Sequence, residues 1–227
     1  MTAHSTGSGA LETPDMTTAA WFGLAVAAAF AIGNWTAVAR GNKSLEYFCK
    51  PATMVALLVV ALAVEPDIDG RRTWFVLALA LSLAGDVFLM LPLDLFVPGL
   101  VSFLLGHIAY VVGLRMEGAG ATAMLVAALV VVVVAAVVGT RIVGAVRRGS
   151  QPELTGPVVA YMAVITTMVT CALATGNPLA GAGAGLFFAS DALIAWNRFV
   201  QPLAWAPLTI MVTYHLGQAG LVTSLVR

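Results

Sequence analysis

The chain has 227 residues, of which 60% are apolar and only 10% charged, where a soluble domain carries about 25% charged residues. With a mean hydropathy of +0.97, this excludes an ordinary water-soluble globule and makes lipid the solvent of the fold. Eleven basic and eleven acidic side chains cancel, so no net field draws the chain to nucleic acid or to an acidic partner.

Residues 1–16 (MTAHSTGSGALETPDM) are small and polar, with no apolar period. They read as a flexible N-terminal tail, with His4 outside any site. From Thr17 to the end, apolar stretches recur near 17–38, 51–64, 73–90, 97–114, 119–143, 157–175, 179–197 and 203–225. This predicts one all-α, polytopic transmembrane domain over 17–227 with eight helices, the second being the shortest. No Lys or Arg precedes the first span and the first cation is Arg40, an order unlike that of a cleaved signal. The fifth span, nearly all Val, Ala and Leu from Met124 to Val138, reads as a lipid-facing scaffold without a chemical role. Cys49 and Cys171 stand far apart without metal-ligand spacing and read as packing residues. Arg40, Lys43, Lys50, Arg141, Arg147, Arg148 and Arg198 fall on the odd-numbered loops, against Arg71, Arg72, Arg115 and Arg227 on the other side. That bias predicts cytoplasmic odd loops in a bacterial-type inner or plasma membrane.

No connection is long enough to fold separately, so any chemistry lies within the bilayer. Asp86 in the third span and Asp191 in the seventh are the charged residues inside the spans, with Lys50 and Arg198 at helix ends. An ionised Asp at mid-bilayer costs ~2.5–3.5 kcal/mol on insertion scales, so each needs a wet cavity, a partner or a proton. His107 in the fourth span and His215 in the eighth are candidate hydrogen-bonding or proton-carrying groups. At about 100° per residue, Tyr214, His215 and Gln218 share one arc of the last helix. Asn34, Lys50, Asp86 and Asp191 lie in the halves of their helices nearer the odd loops, which predicts a cavity open to one face. A through-pore needs polar lining along its whole length. Pro51, Asp86 and His107 also recur in order as Pro157, Asp191 and His215 at similar intervals. This suggests two parallel four-helix repeats that place the aspartates on opposite walls of one cavity.

The segments YFCKP at Tyr47–Pro51, SLAGDVFLMLPLDLFVPGLVSFLLGHIAY at Ser82–Tyr110, GLFFASDALIAWNRF at Gly185–Phe199 and TYHLGQ ending at Gln218 resemble the YhhN-type family of eight-helix lysoplasmalogenases. The resemblance covers most of the chain. Its strongest elements are the Gly-Asp of the third helix, G-x-x-S-F-x-x-G-H-x-x-Y from Gly99 to Tyr110, and Ser190-Asp191 followed by Asn197-Arg198-Phe199. It implies hydrolysis of the vinyl ether bond of lysoplasmalogen to a fatty aldehyde and a glycerophospho-base, with Asp86 and Asp191 as the catalytic pair and no cofactor. Where the family commonly has Tyr-Tyr in the last helix, this chain has Tyr214-His215.

The chemistry suits such a pair. Vinyl ether hydrolysis begins with protonation of the β-carbon and passes through an oxocarbenium ion that water captures. One carboxyl must therefore deliver a proton, while a second, ionised, stabilises the cation or activates water. Lys50, and with it Arg198, is the candidate for the substrate phosphate. His107, Tyr110, Ser190, Asn197, Tyr214, His215, Gln218 and Asn34 are candidate supporting groups. The partners expected are the lysophospholipid and the bilayer. Two rivals remain: a proton-coupled transporter of a small or lipid-like solute, to which Thr166, Thr167 and Thr170 would contribute lining, and an intramembrane metal-dependent hydrolase with Asp86, His107, Asp191 and His215 as ligands.

Overall fold

A computed structural model describes residues 16–66 and 68–226; residues 1–15 of the expected tail, His4 among them, and Arg227 lie outside these. Among the described residues the chain is all helix: α1 (Thr18–Ala39), α2 (Lys43–Ala63), α3 (Arg71–Met90), α4 (Phe96–Arg115), α5 (Ala121–Arg148), α6 (Thr155–Ala174), α7 (Pro178–Phe199) and α8 (Ala206–Thr223), with a 3-10 turn, Pro152–Leu154, before α6. Seven of these, α1 to α7, are long and apolar enough to cross a membrane. α8 falls below that level because His215 and Gln218 on its inward arc offset its aliphatic residues.

The local sequence explains the boundaries. Thr17 caps α1 by accepting from the Ala20 N–H, and its hydroxyl donates to the Ala63 carbonyl, tying the start of α1 to the end of α2. Asn42 caps α2 through the Leu45 N–H, and Asn177 caps α7 through the N–H groups of Leu179 and Ala180. The second helix therefore starts eight residues before the expected 51, with Pro51 inside it. The Asn42 cap and a Lys43–Glu46 pair at 2.8 Å extend the helix over residues too polar to register as a span.

Consecutive helices pack as hairpins, α1 on α2, α3 on α4, α5 on α6 and α7 on α8. The halves meet where α4 packs on α6, and where α8 packs on α1 and α2. Small residues set the closest crossing: a Cβ at Gly183 would lie 2.7 Å from the Leu221 nitrogen and 2.8 Å from the Gly217 carbonyl oxygen. The backbones of α7 and α8 thus touch directly, and this fixes the height of α8 against α7. The main core includes Met54, Leu57, Phe75, Leu79, Tyr110, Phe187 and Leu221. A smaller cluster of Phe96, Ile142, Val146, Leu154 and Val158 sits toward the odd-loop end. At the opposite end, Arg71 and Glu117 form a 2.7 Å ion pair with side chains 0% and 1% exposed, joining the start of α3 to the segment after α4.

Candidate active site

Each of the two intramembrane aspartates is reached from two other helices. On α3, Asp86 Oδ1 lies 3.0 Å from Lys50 Nζ of α2, and its Oδ2 accepts from the Tyr214 hydroxyl of α8 at 2.6 Å. On α7, Asp191 Oδ2 accepts from the Tyr161 hydroxyl of α6 at 2.5 Å and lies 3.4 Å from His107 Nε2 of α4. Asp86, Lys50 and His107 are all buried. Asp86 has a cation beside it, whereas Asp191 has a phenol and an imidazole. Phe187 lies between the halves of the site, its ring centroid 4.7 Å from that of His107 and 5.2 Å from that of Tyr214.

The contacts of His107 constrain its protons. Nδ1 is 2.6 Å from the Phe103 carbonyl oxygen, and a carbonyl only accepts, so Nδ1 carries a hydrogen. The remaining nitrogen faces the Asp191 oxygen. Two lone pairs meeting there would repel, so one proton belongs between them, on the ring as an ion pair or on the carboxyl.

A third group of polar residues lies behind Tyr214. The Tyr110 hydroxyl donates to Gln218 Oε1 at 2.5 Å, and Trp35 Nε1 donates to His215 Nδ1 at 3.1 Å, which leaves the hydrogen of a neutral His215 on Nε2. Gln218 stands one turn beyond Tyr214, on the same face of α8. Asn34 is fully buried, and its amide makes no hydrogen bond with the described residues.

The other candidates have different surroundings. Ser190 donates to the Ile210 carbonyl across the α7–α8 crossing, and Asn197 Oδ1 accepts from the Leu203 N–H, shaping the turn into α8. Arg198 pairs with Asp94 at 3.2 Å and stacks 4.0 Å over Phe96. Lys50 is not a side chain stretched toward the interface; its nitrogen is buried against Asp86. Thr166, Thr167 and Thr170 donate to carbonyls of their own helix, so they offer little lining to a solute route. The four proposed metal ligands divide between separate contacts, and no cluster of three His, Cys, Asp or Glu side chains gathers among the described residues. Cys49 and Cys171 are buried free thiols.

Sequence reasoning passed over two contributors, Tyr161 and Trp35. Each is an aromatic residue in an apolar span, a pattern shared with interfacial anchors and core packing, so neither has a distinguishing signal. The one available hint is the position of Tyr161 a turn beyond Pro157, in the same half-membrane as Asp191.

Two spaces adjoin this constellation. An apolar cavity reaches Asp191 and Tyr161 and is walled by α4, α5, α6 and α7 as well as Leu89 of α3. A more polar vestibule of about 490 Å³ includes Lys43, Glu46, Lys50, Asn197 and Arg198 at the odd-loop end. Leu89, Phe96 and Ile194 line both. The fifth helix is therefore not a lipid-facing scaffold alone, since Val138 and Ile142 wall the cavity near Asp191.

The helices and their polar centre define an integral, multi-pass membrane protein in which Asp86 and Asp191 are each held by side chains of two other helices, Asp191 beside an apolar cavity. The profile of the YhhN family matches residues 45–225, and the chain belongs to that family. It is similar to human lysoplasmalogenase TMEM86B, with 34% identity over 150 residues, covering 66% of this chain and 62% of that protein. The rat lysoplasmalogenase TMEM86B is 30% identical over 180 residues, 79% of this chain and 71% of the relative. A lysoplasmalogenase of Mycobacterium bovis is 35% identical over 152 residues, 64% of this chain and 58% of the relative. The matched region thus spans less than two thirds of the length of the human and mycobacterial relatives. No solved structure matches the chain significantly.

Proposed function

We propose that this protein is a lysoplasmalogenase: within the bilayer it hydrolyses the vinyl ether of a lysoplasmalogen to a fatty aldehyde and a glycerophospho-base. The observation that carries the mechanism is the unequal company of the two aspartates. Asp86 faces the Lys50 ammonium at 3.0 Å and is the ionised carboxylate; Asp191, beside Tyr161 and His107, is the proton donor. Asp191 delivers its proton to the β-carbon of R–CH=CH–OR′, and the π electrons form the new C–H bond. The ether oxygen then shares its lone pair with the adjacent carbon as an oxocarbenium ion. Water adds to that carbon and gives a proton to Asp86. The hemiacetal collapses to R–CH₂–CHO and HO–R′: the alcohol oxygen takes the proton that Asp86 received and the hemiacetal hydroxyl gives its own proton to His107, so one water is consumed. His107 passes that hydroxyl proton to Asp191, which restores the starting protonation of both groups.

The relatives named as lysoplasmalogenases support this substrate. So does the pairing of an apolar cavity with a charged vestibule, which matches an amphiphile. The parallel repeat is supported by the helices that reach each aspartate: α2 and α8 serve Asp86 on α3, while their counterparts α6 and α4 serve Asp191 on α7. On this reading α8 is the eighth span, and the odd-numbered loops, which carry most of the cations, face the cytoplasm.

The test uses purified protein in detergent with 1-alkenyl-lysophosphatidylcholine and lysophosphatidylethanolamine, following aldehyde. Wild type releases aldehyde, and in D₂O the aldehyde carries one deuterium on the carbon next to the carbonyl. Asp86→Asn and Asp191→Asn abolish release. Activity surviving in both variants, or an aldehyde free of that deuterium, refutes the mechanism.

A further inference from the structure

The apolar cavity has an uneven wall. α5 packs on α6 and, less extensively, on α7 and the 3-10 turn, but it has no packed interface with α4. Yet the two helices face each other across the cavity, Leu100 and Phe103 from α4, Val138 and Ile142 from α5. In the other half of the molecule, α1 closes on α8 and is fastened there by the Trp35–His215 hydrogen bond. No such fastening joins α5 to α4 among the described residues. The outer face of α5 is exposed valine and leucine, Val133 being 64% exposed, and Val101 and Leu105 of α4 are exposed as well, so both helices that flank the gap face lipid.

We infer that this gap is a lateral portal, and that the cavity behind it takes the hydrocarbon chain of a single-chain zwitterionic glycerophospholipid whose headgroup sits in the adjoining vestibule. The inference rests on the lysoplasmalogen reading and extends it to a binding site. The occupant follows from the two spaces together. The cavity lining is apolar apart from Asp191 and the Tyr161 hydroxyl, which suits a hydrocarbon and excludes a headgroup. The vestibule mixes Lys43 and Arg198 with Glu46, a pattern that serves a phosphate and a cationic base at once. Because Leu89, Phe96 and Ile194 border both spaces, one molecule bridges them and carries its chain past Asp191. The slot is narrow, with about 60 Å³ of free volume. The chain enters by displacing α5, the wall with the least packing behind it, and its far end emerges among the bilayer lipids. The remaining walls are held, α4 packing on α6 and α6 on α7, so the opened slot has the width of one chain.

The test separates binding from hydrolysis by using 1-acyl-lysophosphatidylcholine, which has no vinyl ether. With a diazirine on the chain, irradiation of the full-length wild-type protein in detergent is expected to label cavity residues such as Leu100 and Ile142. Excess unlabelled lysophosphatidylcholine should compete, and diacyl phosphatidylcholine should not. Labelling confined to α1 or α2, or competition by the diacyl lipid at equal concentration, overturns the inference. In equilibrium binding, Ala195→Trp, which fills the slot one turn from Asp191, should weaken lysophosphatidylcholine at least about tenfold. Val133→Trp on the outer face should leave binding unchanged, and unaltered affinity in Ala195→Trp counts against the slot. Slot labelling in a protein without aldehyde release retains the binding site and rejects the hydrolase. Aldehyde release with labelling elsewhere does the reverse.

Discussion

Replacing Lys50 by methionine removes the ammonium from Asp86 while keeping an unbranched side chain of similar length. Lys50 and Asp86 are 6% and 2% exposed and their charged atoms are 3.0 Å apart. At an effective dielectric constant of about 20, that separation corresponds to ~5–6 kcal/mol of attraction. Desolvation of the two ions offsets much of it, so the quantity to expect is the cost of leaving Asp86 buried without its cation, about 3–5 kcal/mol. For a chain of this size, 1 kcal/mol moves the melting temperature by about 2–4 °C, so Lys50→Met should melt roughly 6–20 °C below wild type in detergent. Aldehyde release should fall at least about tenfold, since an Asp86 that takes up a proton no longer accepts one from water. Adding Asp86→Asn to Lys50→Met removes the stranded charge and should restore most of the melting temperature without restoring activity. The double-mutant cycle measures that coupling. Lys50→Met melting within about a degree of wild type, or a double variant with the summed losses of the two singles, would falsify the ion-pair assignment.

Tyr161→Phe takes away the donor to Asp191 at 2.5 Å; a hydrogen bond to the carboxylate that forms as Asp191 gives up its proton contributes about 1.5–3 kcal/mol, so kcat should drop about 10- to 150-fold with the far-UV spectrum unchanged. An unaltered kcat would dissociate Tyr161 from the reaction. Glu117→Gln breaks the buried pair with Arg71, 2.7 Å apart and remote from both aspartates. It should lower the melting temperature while the specific activity of the folded fraction stays at the wild-type level. Gly217→Ala places a Cβ 2.9 Å from the Gly183 carbonyl oxygen and from the Phe187 nitrogen. Pushing α8 off α7 should reduce both stability and aldehyde release, and normal thermal stability in this variant would show that the crossing tolerates wider spacing. Trp35→Phe removes the N–H donated to His215 Nδ1, with an expected stability loss of about 1 kcal/mol measured by the shift in melting temperature.

Composition and the spacing of apolar runs determined the solvent, the helical class and the order of the elements, because a chain in lipid must satisfy its backbone within helices and shows its spans as continuous hydrocarbon. The same apolar background makes Asp86, Asp191, His107 and His215 conspicuous, since each polar side chain within a span carries a cost that needs an explanation. The polar start of α2 was not legible, because hydropathy averages out the Asn42 cap and the Lys43–Glu46 pair that extend it. Only the tertiary structure decided the partners: that Lys50 turns inward to Asp86, that Tyr161 donates to Asp191, and that Trp35 engages His215. Those contacts join residues on different helices, and their existence depends on how rotations and heights are set by close crossings such as Gly183 on Gly217. A one-dimensional pattern specifies which face of a helix is polar; it contains no term for the helix that face will meet.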